Sequence, residues 1–161
     1  VSNRKITIIT GKKHSGKTTF LLNKIAGLQS KGVTVGGLIS VGTFKNGSRF
    51  DFKLLDVVTD QKVDFLSQKE CNFCKKIGRF YINPKAFEYG FKVLEKCLKD
   101  PFQTIVLDEI GPLEIKDQGW AVILPELLES ESDLILVVRK ELLQEVISKW
   151  GINYDKIIEV E

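Results

Sequence analysis

Residues 11–18 read GKKHSGKT and satisfy the pattern G-x-x-x-x-G-K-[ST]. No other stretch constrains the fold as tightly. Gly11 and Gly16 let the backbone turn so that successive N–H groups point into one concavity, a cradle for phosphate oxygens. A helix starting near Gly16 aims its positive end at the same anion. Such a loop works only between a strand and a helix, and the flanks comply. RKITIIT at residues 4–10 is a β-branched run, and Phe20, Leu21, Leu22, Ile25, Ala26 and Leu28 fall at helical spacing before Gly32. Lys17 is placed to put a point charge on the β- and γ-phosphates, and the Thr18 hydroxyl to coordinate Mg²⁺. Ser15, Gly16 and Thr19 complete the cradle. Lys12, Lys13 and His14 fill its variable positions, where either the backbone alone serves the phosphates or a side chain also touches a phosphate or an acceptor.

Beyond the loop, elements alternate. Residues 33–41 are β-branched and glycine-rich, hence a strand. Residues 43–58 carry Asn46-Gly47 in their middle, a two-residue hairpin signal, after which Phe50, Phe52 and Leu54 alternate with charged residues. A short strand is expected at 78–82. Asn83-Pro84 starts a helix, with asparagine as cap, whose expected apolar face is Phe87, Phe91, Leu94 and Leu98 and which ends at Asp100-Pro101. Residues 102–107 form an apolar run typical of a strand covered on both faces. A helix at 119–129 with a kink at Pro125, a strand at 133–138, a helix at 141–150 and a strand at 156–160 complete the chain. Strands alternating with helices predict an α/β fold with a mainly parallel sheet and an antiparallel hairpin on one side. Residues 1–161 are expected to form a single domain.

The run 102–107 ends in Asp108-Glu109. An acidic residue closing a buried strand beside a phosphate loop holds Mg²⁺, so Asp108 joins Thr18 as metal ligand. Glu109 would orient and deprotonate the attacking water. Arg139, ending the strand at 133–138, is the foremost arginine for transition-state charge; Arg79 and Arg49 are secondary, and Glu114 could orient one of these cations. Trp120 and Trp150 fall in helical segments and are expected in the core.

Composition removes several alternatives. Twenty-four basic and 21 acidic residues give a net charge of +3, too dispersed to point to nucleic acid. No apolar run is long enough to span a bilayer, and no export signal is evident, so a cytoplasmic setting is expected. Three cysteines then read as reduced thiols. Cys71 and Cys74 have zinc-ligand spacing, but only Cys97 and His14 remain to complete a set of four, so two free loop thiols are expected, a site shared across a dimer or a redox pair being the alternatives.

The segment DEIGPLE at 108–114 resembles the D-E-I-G-x-x-E segment of the nucleoside-triphosphatase family found in thermophilic archaea, bacteria and animals. GGLISVGTFKNGSRFDFKLLDV and GRFYINPKAFE are similar to further segments of that family. The resemblance covers most of residues 4–139. It implies a RecA-like P-loop domain and Mg²⁺-dependent hydrolysis of ATP, GTP or other nucleoside triphosphates with loose base selectivity. That family's loop usually reads G-x-P-G-V-G-K-T-T; GKKHSGKTT here resembles nucleotide-binding adaptors of molybdopterin-dinucleotide biosynthesis. An adaptor with little turnover is therefore the alternative. A nucleotide or nucleoside kinase ranks third, for want of an arginine-rich lid. No protein partner can be named from the sequence.

Overall fold

The structure, a computed structural model, describes residues 4–13, 15–45, 48–71, 74–100 and 102–161, with backbone alone at 44, 45 and 48–50. Its described residues form one nine-stranded sheet. In chain order the strands are β1 (Ile6–Gly11), β2 (Val35–Lys45), β3 (Ser48–Asp56), β4 (Lys62–Ser67), β5 (Lys75–Ile77), β6 (Phe80–Ile82), β7 (Thr104–Ile110), β8 (Asp133–Arg139) and β9 (Lys156–Val160). In space they run β5-β6-β4-β3-β2-β7-β8-β1-β9. From β2 to β9 neighbours are parallel; from β2 outward to β5 they are antiparallel. The expected parallel core with an antiparallel addition is thus found.

Helices α1 (Lys17–Ser30), α2 (Pro84–Lys99), α3 (Pro112–Ile115), α4 (Leu124–Glu129) and α5 (Leu143–Trp150) cover the sheet. Period-two alternation in the central strands sorts their side chains between two cores. Ile9, Val106 and Val137 pack with Leu21 and Ile25 of α1 on one face. Ile8, Leu107 and Leu136 pack with Leu94 of α2, Leu124 of α4 and Val146 of α5 on the other. Burying each such aliphatic side chain contributes on the order of 1.5–3 kcal/mol, so the strands that carry the site are held from both sides.

Two glycines permit close approaches that position the site. Gly37 of β2 has φ +122°, and a Cβ there would run into the Val106 backbone of β7. Gly90 of α2 leaves room for the Trp120 ring. Helix α2 begins as expected, with Asn83 accepting from the Lys85 N–H at 3.1 Å and Pro84 in the first turn. Its fully buried positions are Ala86, Gly90, Leu94 and Cys97, while Phe87, Phe91 and Leu98 are half-buried. The buried stripe is therefore rotated about a fifth of a turn from the expected one, with Leu94 common to both and Gly90 making room for the Trp120 ring.

Other expectations are corrected. Pro125 does not kink a helix; residues 119–122 form a single tight turn, and Pro125 sits in the first turn of α4, where its missing N–H costs nothing. Strands β4 and β5 and helix α3 add to the elements expected. The turn Asn46-Gly47 lies outside the described residues, although Lys45 pairs with Ser48 on either side of it. Trp120 is core, 1% exposed, and Trp150 is half-buried against the same cluster.

Candidate active site

The parallel strands deliver their C-terminal ends to one edge, where ligands bind in open α/β sheets. Gly11 ends β1 and lies in register with Arg139 at the end of β8 and Val160 of β9. A Cβ on Gly11 would stand 2.5 Å from both Ser15 Oγ and the Val160 carbonyl, so the loop can start only from glycine. The Ser15 N–H donates to the Lys12 carbonyl at 3.1 Å, closing the loop, and Gly16 caps α1 at φ +89°. Lys17 is buried and donates through Nζ to the Gly11 and Lys12 carbonyls at 3.1 and 2.9 Å. Ser15 Oγ is buried without a hydrogen-bond partner among the described residues, a polar atom awaiting a ligand inside the cradle. Lys12, Lys13 and Thr19 are exposed around it, and His14 lies outside the described residues.

Thr18 brings its hydroxyl to Asp108 of β7, donating to Oδ2 at 3.4 Å. The Ser40 N–H of β2 donates to the same oxygen at 3.3 Å. Both contacts are long, and Asp108 is 2% exposed. Burial, with the neighbouring Glu109 charge second, pushes its carboxyl up to about 7. A buried carboxylate with weak partners, facing a hydroxyl across a phosphate cradle, is a donor set that fits Mg²⁺. Glu109 is half-buried, and its Oε1 accepts from Arg139 Nε at 3.0 Å. The structure therefore brings together Lys17, Thr18, Asp108, Glu109 and Arg139.

Elsewhere the sequence reading needs correction. Among the described residues Glu114 holds no arginine. It is buried, and its two oxygens accept from the Gly111 and Trp120 N–H groups at 2.8 and 2.9 Å, tying the end of β7 to the Trp120 turn. Arg79, the secondary arginine, lines the same cavity as Lys17 and Asp108 with its guanidinium over the Phe80 ring, 4.9 Å from the centroid, and the Arg49 side chain lies outside the described residues. Cys71 and Cys74 are joined as a disulfide instead of being free thiols; three residues of separation bring the two side chains within bonding reach. Cys97 is a buried free thiol, raised to about 11 by burial.

One cavity of about 470 Å³ opens on this edge. Its floor is the loop with Asp108, Glu109 and Arg139, and it extends between Phe52, Phe65, Phe80, Phe87 and Trp120. This aromatic end and the Ser40 contact were missed in the sequence. The alternation around Phe52 marked a half-buried strand, but nothing local says what that face meets.

A protein-family model described as NTPase matches residues 6–160. The chain belongs to that family. Among its relatives is the nucleoside-triphosphatase THEP1 of Thermotoga petrophila, 30% identical over 134 residues that span 83% of this chain and 71% of the relative. The nucleoside-triphosphatase THEP1 of Methanothermobacter thermautotrophicus is 29% identical over 140 residues, 86% of this chain and 79% of that one. The crystal structure of THEP1 from Aquifex aeolicus superposes with a TM-score of 0.72 at 21% identity, covering 96% of this chain and 89% of the other. The solution structure of a human cancer-related nucleoside triphosphatase gives 0.73 at 20%, covering 98% and 89%. These two likenesses concern the fold. No helix among the described residues is long and apolar enough to cross a membrane.

Proposed function

We propose that this chain hydrolyses nucleoside triphosphates to diphosphate and phosphate, with Mg²⁺ and with loose base selectivity, as a single domain. The observation that carries the reading is the facing of Thr18 Oγ1 and Asp108 Oδ2 across the phosphate loop, with Glu109 next in the chain. Those two oxygens would hold Mg²⁺, which when bound offsets charge on the β- and γ-phosphates. Lys17 exchanges its two loop carbonyls for phosphate oxygens, and the Ser15 hydroxyl finds its missing partner there. Glu109 orients a water and takes its proton as the new bond to the γ-phosphorus forms and the bridging bond to the β-phosphate breaks. Arg139 uses Nε for Glu109, leaving its terminal nitrogens to meet charge on the transferred group. Every group named here addresses phosphate, which supports loose selectivity for the base.

The Arg139–Glu109 pair also favours a second reading, an adaptor that holds the triphosphate with little turnover, since one of the two Glu109 oxygens is already engaged by a cation. One experiment separates the two. Phosphate release from each triphosphate should require Mg²⁺, and Glu109→Gln should lower it by roughly 10² while leaving nucleotide affinity intact. Equal rates for variant and parent would remove Glu109 from the mechanism. A parent that binds triphosphate and releases no phosphate is the adaptor.

A further inference from the structure

One buried carboxyl takes no part in the proposed chemistry. Glu114 is 3% exposed and lines the cavity where the phosphate end meets the aromatic chamber. A single acceptor would cap the short helix α3 by taking the Gly111 N–H. Glu114 does more, because its second oxygen takes the Trp120 N–H beyond that helix. Gly119 makes the room: at its φ of +60° a Cβ would overlap Glu114 Oε2. The chain before α3 and the chain after it are thus tied to one buried group.

Glu109 stands at the other end of the same linkage. Along β7, Ile105 and Leu107 face the core beneath α2, while Val106 faces α1. Strict alternation would turn Ile110 toward α1. Ile110 instead shares the core of Leu107, and pairing with β8 skips from Asp108–Val137 to Ile110–Val138. Glu109 is therefore the extra residue of a bulge, a device that re-aims a side chain at the rim of a sheet. It reaches Arg139, and a Cβ on Gly111 would lie 3.8 Å from its Oε1. The β8 ladder holds the chain before the bulge and ends at Ile110; the next amide, Gly111, is held by Glu114. Burial first, and the Glu109 charge after it, raise the Glu114 carboxyl, so the two groups feel one another.

We propose that Glu114 is a positioning residue for Glu109, fixing through the Gly111 amide the angle at which the bulge presents the base to water; the inference rests on the hydrolysis reading above. A base works only within about 2.6–3.2 Å of the group whose proton it takes. Misplacement by about 1 Å costs on the order of 10² in rate. Lys17 and Thr18 stand on α1, and Asp108 on the paired part of β7, so triphosphate binding does not depend on Glu114.

The test sets phosphate release at saturating Mg²⁺ and ATP against calorimetric affinity for a β,γ-methylene triphosphate. Glu114→Ala should lower kcat by roughly 10- to 100-fold and leave the affinity for the analogue unchanged. Glu114→Gln, which keeps one acceptor, should fall between that variant and the parent. Leu127→Ala opens the same core without touching these amides and should keep the parent's kcat. Beside Glu109→Gln, Glu114→Ala should slow release no further, because the base it positions is gone. A parent-like kcat in Glu114→Ala, an equal loss in Leu127→Ala, or losses that multiply in the double variant overturns the positioning role. If Glu114→Ala does not fold, Glu114→Gln decides by the same criteria: a kcat below the parent's, and no effect beside Glu109→Gln. A parent that binds the analogue and releases no phosphate, or a Glu109→Gln protein as fast as the parent, overturns the hydrolysis reading and the positioning role with it.

Discussion

The two ends of the cavity are built on different principles. The phosphate end is a short contiguous loop plus three strand-end residues, and it acts through backbone amides, one buried lysine and two carboxylates. The aromatic end is assembled from β3, β4, β6, α2 and the turn after α3, and it acts through shape. Charges at fixed points give steep, single-residue control, since no neighbouring group can stand in for any one of them. Packed rings share their work with the core: Trp120 touches Phe65, Phe87 and Phe91 and is also sealed beneath α2. The same chain thus carries a site whose chemistry fails without loss of fold and a site whose loss is a loss of fold.

Two substitutions test that contrast most severely. Lys17→Ala should abolish measurable phosphate release and most triphosphate affinity, while urea unfolding shifts little. The lysine's partners are two loop carbonyls that water can satisfy once the side chain is gone. Trp120→Ala should do the reverse, costing about 3–5 kcal/mol of stability through the cavity it leaves, with nucleotide affinity at the loop retained in the folded fraction. Calorimetry and denaturant titration on both variants check the crossed pattern. A Trp120→Ala protein as stable as the parent would show that the aromatic end is not part of the core.

This division also explains what could be read from the sequence. Spacing from Gly11 to Thr18 is local, and the strand and helix around it are set by their own residues, so the loop and its neighbours were legible. Asp108-Glu109 and Arg139 were legible because the last residues of buried parallel strands must come to one edge. The chamber was not, because Phe52, Phe65 and Trp120 meet only after β3 and β4 have been laid beside β2 and α2 has crossed back over them. Strand β5, KKI, is too short for any period to declare itself, and β4, KVDFLS, keeps Phe65 as its one buried residue. In the sequence Glu114 reads as a partner for arginine, because charge suggests a counter-charge. Its partners are two amides, one of them on Trp120, which follows the left-handed Gly119 turn.

Glu114 is the joint between the two ends, and it yields the finest test of the comparison. Burial, the largest cause, raises its carboxyl to about 7 against the pull of its amide donors. A carboxyl whose folded pKa lies above its unfolded value binds more protons in the folded state. Its contribution to stability is therefore complete below about pH 4.5 and is lost as pH rises through about 7, at no more than about 1.4 kcal/mol per pH unit. Asp108, also raised to about 7, contributes with the same sign, and Mg²⁺ should suppress its part by holding the carboxylate charged. Glu114→Gln keeps one acceptor but turns an NH₂ toward the other amide, leaving a buried donor unpaired at a cost of about 1–3 kcal/mol. The variant cannot titrate. It should be less stable than the parent near pH 5, and the gap should narrow toward pH 8 as the parent gives up what the variant never had. Urea unfolding across that range, with and without Mg²⁺, measures both slopes. A gap independent of pH would mean that Glu114 is charged throughout, and that the joint is held by ionised carboxylate instead of by a neutral carboxyl.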